Sequence, residues 1–122
     1  MEIVLDTNFL IDLVKFKIDL DAIYQIIPEP HSLSTLNSVL SELSQISKQK
    51  TKSGGYAKLA LKVIEQNNIK ILKFQGSADM LLVQLAKEGM TIATNDTKLR
   101  KEIKSLGKKT IYLKAKKYVA IG

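Results

Sequence analysis

Four acidic residues stand where a folded chain of alternating strands and helices would gather them: Asp6, Glu42, Asp79 and Asp96. Asp6 follows the short apolar run Glu2–Leu5, and Asp96 closely follows a second such run, Thr91–Thr94. Asp79 falls in the first turn of a helix that Ser77 would cap. It precedes Ala86 by seven residues, so both project from nearly the same helical face as Leu82 and Leu85. Glu42 flanks the apolar stripe of Val39, Leu43 and Ile46 rather than opposing it. Carboxylates crowded together without basic partners repel one another and gain affinity for protons, and a divalent cation relieves that repulsion. An all-oxygen donor set, with one histidine and no cysteine in the chain, favours Mg²⁺ or Mn²⁺ over zinc or copper. Such an ion keeps several waters, which suits activation of one for attack on phosphate. Each acid also has an ordinary reading: Asp6 and Asp96 as helix N-caps, Asp79 as a favourable charge on a helix dipole, Glu42 as a boundary residue. Their joint placement at one edge is the stronger signal.

The elements that must position them read as follows. Strands are expected at Glu2–Leu5, His31–Thr35, Ile69–Phe74, Thr91–Thr94 and Thr110–Leu113, with Tyr118–Ile121 as a candidate short extra one. Between them, helices are expected over Phe9–Phe16, from Asp19 or Asp21 to Ile27, through Leu36, Val39, Leu40, Leu43 and Ile46, over Tyr56–Asn67, from Ser77 to Lys87, and over Asp96–Leu106, with Gly107 as the terminating residue. Ser47–Gly55 reads as a polar loop. Strand–helix alternation implies a three-layer α/β domain, a parallel sheet with helices on both faces. In such sheets ligands bind beyond the carboxyl ends of the strands, where Asp6 and Asp96 lie.

Composition bounds the class. The 122 residues, 45% hydrophobic, suit one globular domain over 1–122. Without cysteine neither disulfides nor zinc–thiolate sites form, which fits a cytoplasmic setting. No apolar run approaches the roughly 20 residues that cross a bilayer, so no membrane association is expected, and Met1 leads directly into the first strand with no leader pattern. The net charge of +7 is unevenly spread. Residues 1–47 carry two lysines against seven acids, whereas residues 98–122 carry nine basic residues against Glu102. A basic end on a globular domain is the footprint of a phosphate-rich partner or simply a solvated face. In the last long helix Leu99, Ile103 and Leu106 are expected inward, leaving Lys98, Lys101 and Lys104 outward. Arg100, one turn after Asp96, is expected either to pair with that acid or to reach a bound strand.

Asp6-Thr7-Asn8 after the first strand, Glu42-Leu43, Ala78-Asp79 before Leu82-Val83 and Ala86, and Thr94-Asn95-Asp96 with Leu99 together resemble a PIN domain, over essentially the whole chain. The nearest likeness is to short archaeal VapC-like and ribosome-biogenesis PIN proteins. The resemblance implies a five-stranded parallel sheet of order 3-2-1-4-5, a site for one or two Mg²⁺ or Mn²⁺ ions, and hydrolysis of single-stranded RNA to 5′-phosphate and 3′-hydroxyl ends. It implies that Asp6, Glu42, Asp79 and Asp96 are the metal-binding and catalytic acids. Thr7, Asn8, Thr94 and Asn95 would be polar residues that orient ligands or water, and Arg100, Lys101, Lys104 and Lys98 the RNA contacts. The candidate partners are the RNA substrate, a protein antitoxin and a second copy of the chain. Met80 departs from relatives that carry a further acid there, which leaves the number of ions open. An inactive RNA-binding scaffold is the non-enzymatic alternative.

Overall fold

The computed structural model describes all residues from Met1 to Gly122. Six strands form one sheet: β1 (Glu2–Leu5), β2 (Ser32–Leu36), β3 (Lys70–Leu72), β4 (Thr91–Ala93), β5 (Thr110–Lys114) and β6 (Tyr118–Ile121). Helices α1 (Thr7–Lys15) and α2 (Asp21–Ile26) join β1 to β2. Helices α3 (Asn37–Ser47) and α4 (Lys52–Gln66) join β2 to β3, α5 (Ala78–Lys87) joins β3 to β4, and α6 (Thr97–Ser105) joins β4 to β5. The strand order is β3-β2-β1-β4-β5-β6. The first five strands are parallel, in the expected order, and none of the helices is long and apolar enough to cross a membrane.

The sixth strand corrects the five-stranded expectation. Ala115 and Lys116, both at φ +55°, make the left-handed part of a three-residue connection, and β6 returns antiparallel along β5 with Leu113 opposite Val119. A tight turn permits only an antiparallel return, because a parallel one would need a crossover of a dozen or more residues.

Crossovers of parallel strands are right-handed, so the side on which a helix packs follows from the direction of travel across the sheet. The chain moves from β1 through β2 to β3 in one direction, then returns past β1 to β4 and β5 in the other. The helices before β3 therefore cover one face and α5 and α6 the other. Their packing agrees, α1 and α3 against α4, α5 against α6. Because both faces are covered, Ile3, Val4 and Leu5 are all fully buried although successive side chains of a strand point to opposite faces. The reversal falls between β1 and β4, which are hydrogen-bonded neighbours. At such a switch point the outgoing chains diverge and leave a crevice at the carboxyl ends of the strands.

Two local expectations fail for identifiable reasons. Lys52–Gly55 belongs to α4 rather than to a loop: Thr51 caps the helix through Gly54 N–H at 3.2 Å, and the connection from α3 is only four residues long. Leu106 is 39% exposed, because α6 ends at Ser105 and only Leu99 and Ile103 reach the core.

The closeness of α3 and α4 turns on one glycine. A Cβ at Gly54 would stand 2.0 Å from the carbonyl oxygen of Gln49 and 3.2 Å from that of Ile46, whereas at Gly55 it would meet nothing within 4 Å. Gly54→Ala should therefore destabilise the fold by about 2–3 kcal/mol in urea titration, as overpacking against backbone does. Gly55→Ala should stabilise it by about 0.5–1 kcal/mol through helix propensity. Equal effects at the two positions would contradict this packing.

Candidate active site

The site is built on the ends of the two strands at the switch point. Asp6 leaves β1 with its backbone N–H bonded to the carbonyl of Ala93 on β4 at 2.9 Å. Thr35, at the end of β2, donates its hydroxyl to the carbonyl of Leu5 at 2.7 Å, which fixes the other side of the same turn. The Asp6 side chain, 6% exposed, is thereby held at the carboxyl ends of β1 and β4. Its Oδ1 accepts the Thr7 N–H at 2.8 Å, and its Oδ2 accepts the Thr94 hydroxyl at 2.8 Å with Asn8 Nδ2 at 3.4 Å. Thr94 is fully buried. It has a single hydroxyl proton, and Asn8 Oδ1 is a competing acceptor at 3.3 Å, but the shorter contact to a carboxylate is the stronger bond. The Thr94 hydroxyl oxygen also accepts the Asp96 N–H at 3.2 Å, so Thr94 ties the first acid to the last through one atom.

Burial pushes the Asp6 carboxyl above the usual aspartate range. The hydrogen bonds from Thr94 and Thr7 pull the other way, and the negative charges of Asp79 and Glu42 push it up again. Acids on α3 and α5 thus act electrostatically on the acid at the β1 end. Glu42 and Asp79 are solvent-exposed. Asp96 caps α6, its Oδ1 accepting the N–H groups of Lys98 at 2.9 Å and Leu99 at 3.2 Å, which leaves Oδ2 without a capping role. No three acidic or histidine side chains lie near enough in this structure to share a cation directly. Glu42 and Asp79 sit on the exposed sides of their helices, and the cap holds Asp96 toward its own backbone.

The donors present nevertheless fit a hard, partly hydrated cation. All are oxygens, the central one is desolvated, and the buried Thr7 Oγ1 beside it has no hydrogen-bond partner. Leaving a buried hydroxyl unpaired costs about 1–3 kcal/mol.

The flanking polar residues divide in a way the sequence did not reveal. Asn8 and Thr94 contact Asp6 directly. Asn95 turns away from it: its Nδ2 donates to Asp12 Oδ2 at 2.8 Å, its Oδ1 accepts the Leu113 N–H of β5 at 2.8 Å, and its own N–H bonds Asn8 Oδ1 at 2.9 Å. Asp12 was missed by sequence reasoning. The available signal was its spacing of four residues from Asn8 on a helix whose other inward positions, Phe9, Leu10 and Leu13, are apolar.

Arg100 turns to β5 rather than pairing with Asp96. Its guanidinium carbon lies 3.4 Å above the Tyr112 ring, and its Nε donates to Thr110 Oγ1 at 3.1 Å. Stacking and hydrogen bonding fasten α6 to β5. Lys98, Lys101 and Lys104 are exposed on α6, as expected. His31 lies just before β2, at the opposite edge of the sheet, with its ring against Tyr24.

A parallel sheet reversed between β1 and β4, with a buried aspartate and further acids at that reversal, has the fold of PIN-domain nucleases. The chain belongs to the PIN like domain family, whose sequence profile matches residues 3–116. Among solved structures it is similar to the PIN domain endonuclease Utp24, with a TM-score of 0.80 and 21% identity over 98% of this chain and 90% of that one. It is also similar to a domain of a functionally unknown protein from Methanocaldococcus jannaschii DSM 2661, with a TM-score of 0.64 and 18% identity over 93% and 91% of the two chains. A third likeness is to VapBC-1 from nontypeable Haemophilus influenzae, with a TM-score of 0.53 and 18% identity over 86% and 94%. At these identities the likeness is one of fold. No curated protein matches the chain.

The electrostatics of Asp6 make a prediction about stability. A carboxyl whose folded-state pKa is raised binds its proton more tightly in the native state, so its ionisation opposes folding above that pKa and ceases to matter below the unfolded value. Asp6→Asn should accordingly melt at a higher temperature than the parent at pH 7 in chelator, with the advantage shrinking as pH falls toward about 4. A variant that melts lower at pH 7, or whose difference ignores pH, would contradict the assignment.

Proposed function

We propose that this chain is a divalent-metal-dependent endoribonuclease that hydrolyses phosphodiester bonds of single-stranded RNA. The observation that carries the reading is the buried Asp6 carboxylate at the β1–β4 reversal, with Asp79 and Glu42 close enough to raise its proton affinity. Asp6 and the free oxygen of Asp96, with Glu42 and Asp79 around them, would hold one or two Mg²⁺ or Mn²⁺ ions. The bound cation supplies positive charge that makes a water more acidic and offsets charge on the phosphate. Thr94 keeps one Asp6 oxygen fixed and Asn8 limits its rotation, so the carboxylate is pre-positioned rather than gathered on binding. The exposed lysines of α6 bring the RNA backbone toward the crevice by charge, and the resemblance to PIN domains supports 5′-phosphate and 3′-hydroxyl products. A cytoplasmic location fits the absence of cysteine.

The same chemistry serves two settings, the toxin of a toxin–antitoxin pair, inhibited by a bound antitoxin, and an RNA-processing nuclease. The resemblance of the sequence to VapC-like and to ribosome-biogenesis PIN proteins supports one each. Homodimerisation is part of the same family-based reading. The non-enzymatic alternative is a scaffold that binds RNA, and acids intact at all four positions argue against it. Cleavage assays separate the two.

With Mn²⁺ present, the parent should cut single-stranded RNA internally. Asp6→Asn and Asp96→Asn should each lose at least about 100-fold in rate, with folding retained because Asn preserves an N-cap acceptor at both places. Variants that cut at the parental rate would remove the acids from catalysis, and a parent that binds RNA without cutting would leave the scaffold. Lys101→Glu with Lys104→Glu should weaken RNA binding and reduce the slope of log K against log salt by about 0.7 for each phosphate no longer neutralised. An unchanged slope would take α6 out of the substrate path.

A further inference from the structure

We propose that Asp12 is a positioning residue for the metal-binding crevice, acting through Asn95 to hold the β4–α6 turn against Asp6. The inference rests on the metal-dependent reading above and extends it to a side chain that touches neither the cation nor the substrate.

The turn Thr94–Asn95–Asp96 carries two groups the site needs, the Thr94 hydroxyl on Asp6 and the Asp96 carboxylate. Three residues between a strand and a helix have considerable backbone freedom unless their polar groups are bonded. Here the middle residue is held through its side chain and its backbone N–H. Asn95 N–H bonds Asn8 Oδ1 at 2.9 Å, its Nδ2 bonds Asp12 Oδ2 at 2.8 Å, and its Oδ1 accepts the Leu113 N–H at 2.8 Å. Asn8 and Asp12 lie one helical turn apart on α1, so one face of that helix grips the turn at two points. Leu113 belongs to β5, so the same amide also ties the turn to the next strand.

The chemistry of each partner determines the orientation. The Leu113 N–H can only donate, so it needs an oxygen opposite it, which turns the Asn95 carbonyl toward β5 and its NH₂ toward α1. A carboxylate is an acceptor only, so Asp12 can receive that NH₂ and cannot compete for the Asn95 carbonyl. The bond is charge-assisted and partly buried, which makes it stronger than an amide–amide contact. With Asn95 so oriented, its backbone N–H faces Asn8 Oδ1. That contact directs Asn8 Nδ2 toward Asp6 Oδ2 and leaves the Thr94 hydroxyl proton to Asp6. Asp12, Asn95, Asn8 and Asp6 are therefore linked in turn by hydrogen bonds, their directions fixed by the backbone N–H groups of Leu113 and Asn95. Groups behind metal ligands that fix their orientation typically change affinity or activity by about 10–100-fold when removed.

The test compares Asp12→Ala, which removes the acceptor, with Asp12→Asn, which keeps one. Ala is a good helix former, so α1 is retained in both, and melting in chelator verifies the fold. Calorimetric titration with Mn²⁺ alone should show affinity for the Ala variant reduced by about 10-fold or more, and for the Asn variant within about threefold of the parent. Hydrogen exchange of the Asn95 and Leu113 amides in chelator should accelerate in the Ala variant and remain near parental in the Asn variant. Parental Mn²⁺ affinity in Asp12→Ala overturns the proposal, whether or not those amides exchange faster. Equal losses in both variants overturn it as well, since they would mean that Asp12 acts by charge. A parent that neither binds Mn²⁺ nor cuts RNA defeats the metal-dependent reading and this one together. A parent that does both, with an Asp12→Ala variant indistinguishable from it, defeats this one alone.

Discussion

The structure depends on a carboxylate kept where water would not leave it. Burying an ionised group costs several kcal/mol even after the surroundings relax, and Asp6 is 6% exposed with two other acids acting on it. Hydrogen bonds to a charged group return about 1.5–3 kcal/mol each. Asp6 has short ones from Thr7 and Thr94, yet its proton affinity stays raised. Desolvation and repulsion together therefore outweigh the donors. No lysine or arginine figures among the groups that act on it, although the chain carries a net charge of +7. Under the proposed function, a cation from outside would offset the charge of this buried acid.

The rest of the architecture serves that arrangement. Reversal of the crossover direction between β1 and β4 opens the sheet at one place, and Asp6 and Asp96 leave from the two strands that border it. The β1 end is held on both sides, by the Ala93 carbonyl and by the Thr35 hydroxyl. The β4 end is held by Thr94 and Asn95, whose partners come from the β1 end, α1 and β5. Arg100 and Thr110 then fasten α6 to β5, so the helix that Asp96 caps is itself immobilised. Asp79 and Glu42 arrive on α5 and α3 from opposite faces of the sheet. Their contribution is charge at the crevice, delivered from positions open to solvent.

Much of this was legible in the residues. Acid-after-strand placement located Asp6 and Asp96 at the ends of β1 and β4, because it rests on periodicity and on where parallel sheets leave an opening. The strand order of the parallel part agreed with the PIN-domain resemblance. What escaped was set by tertiary contacts. Gly54 looked like loop composition, and only the approach of α4 to the Gln49 carbonyl shows it as a packing residue inside a helix. Arg100 looked free because nothing in the chain indicates that Tyr112 lies under it. Asn95 looked like a ligand-orienting group because its neighbours are, and its rotation toward Asp12 depends on an N–H from a strand 18 residues later. The extra strand was marked only by composition, since its turn is formed by Ala115 and Lys116 rather than by glycine or asparagine.

The central claim is that the crevice beside Asp6 is a cation site. Anomalous diffraction from crystals soaked in Mn²⁺ tests it most directly. A peak should lie against the Asp6 carboxylate between the ends of β1 and β4, and should vanish in Asp6→Asn. Saturating Mn²⁺ with no peak there, or a peak that persists in the Asn variant, would contradict the account.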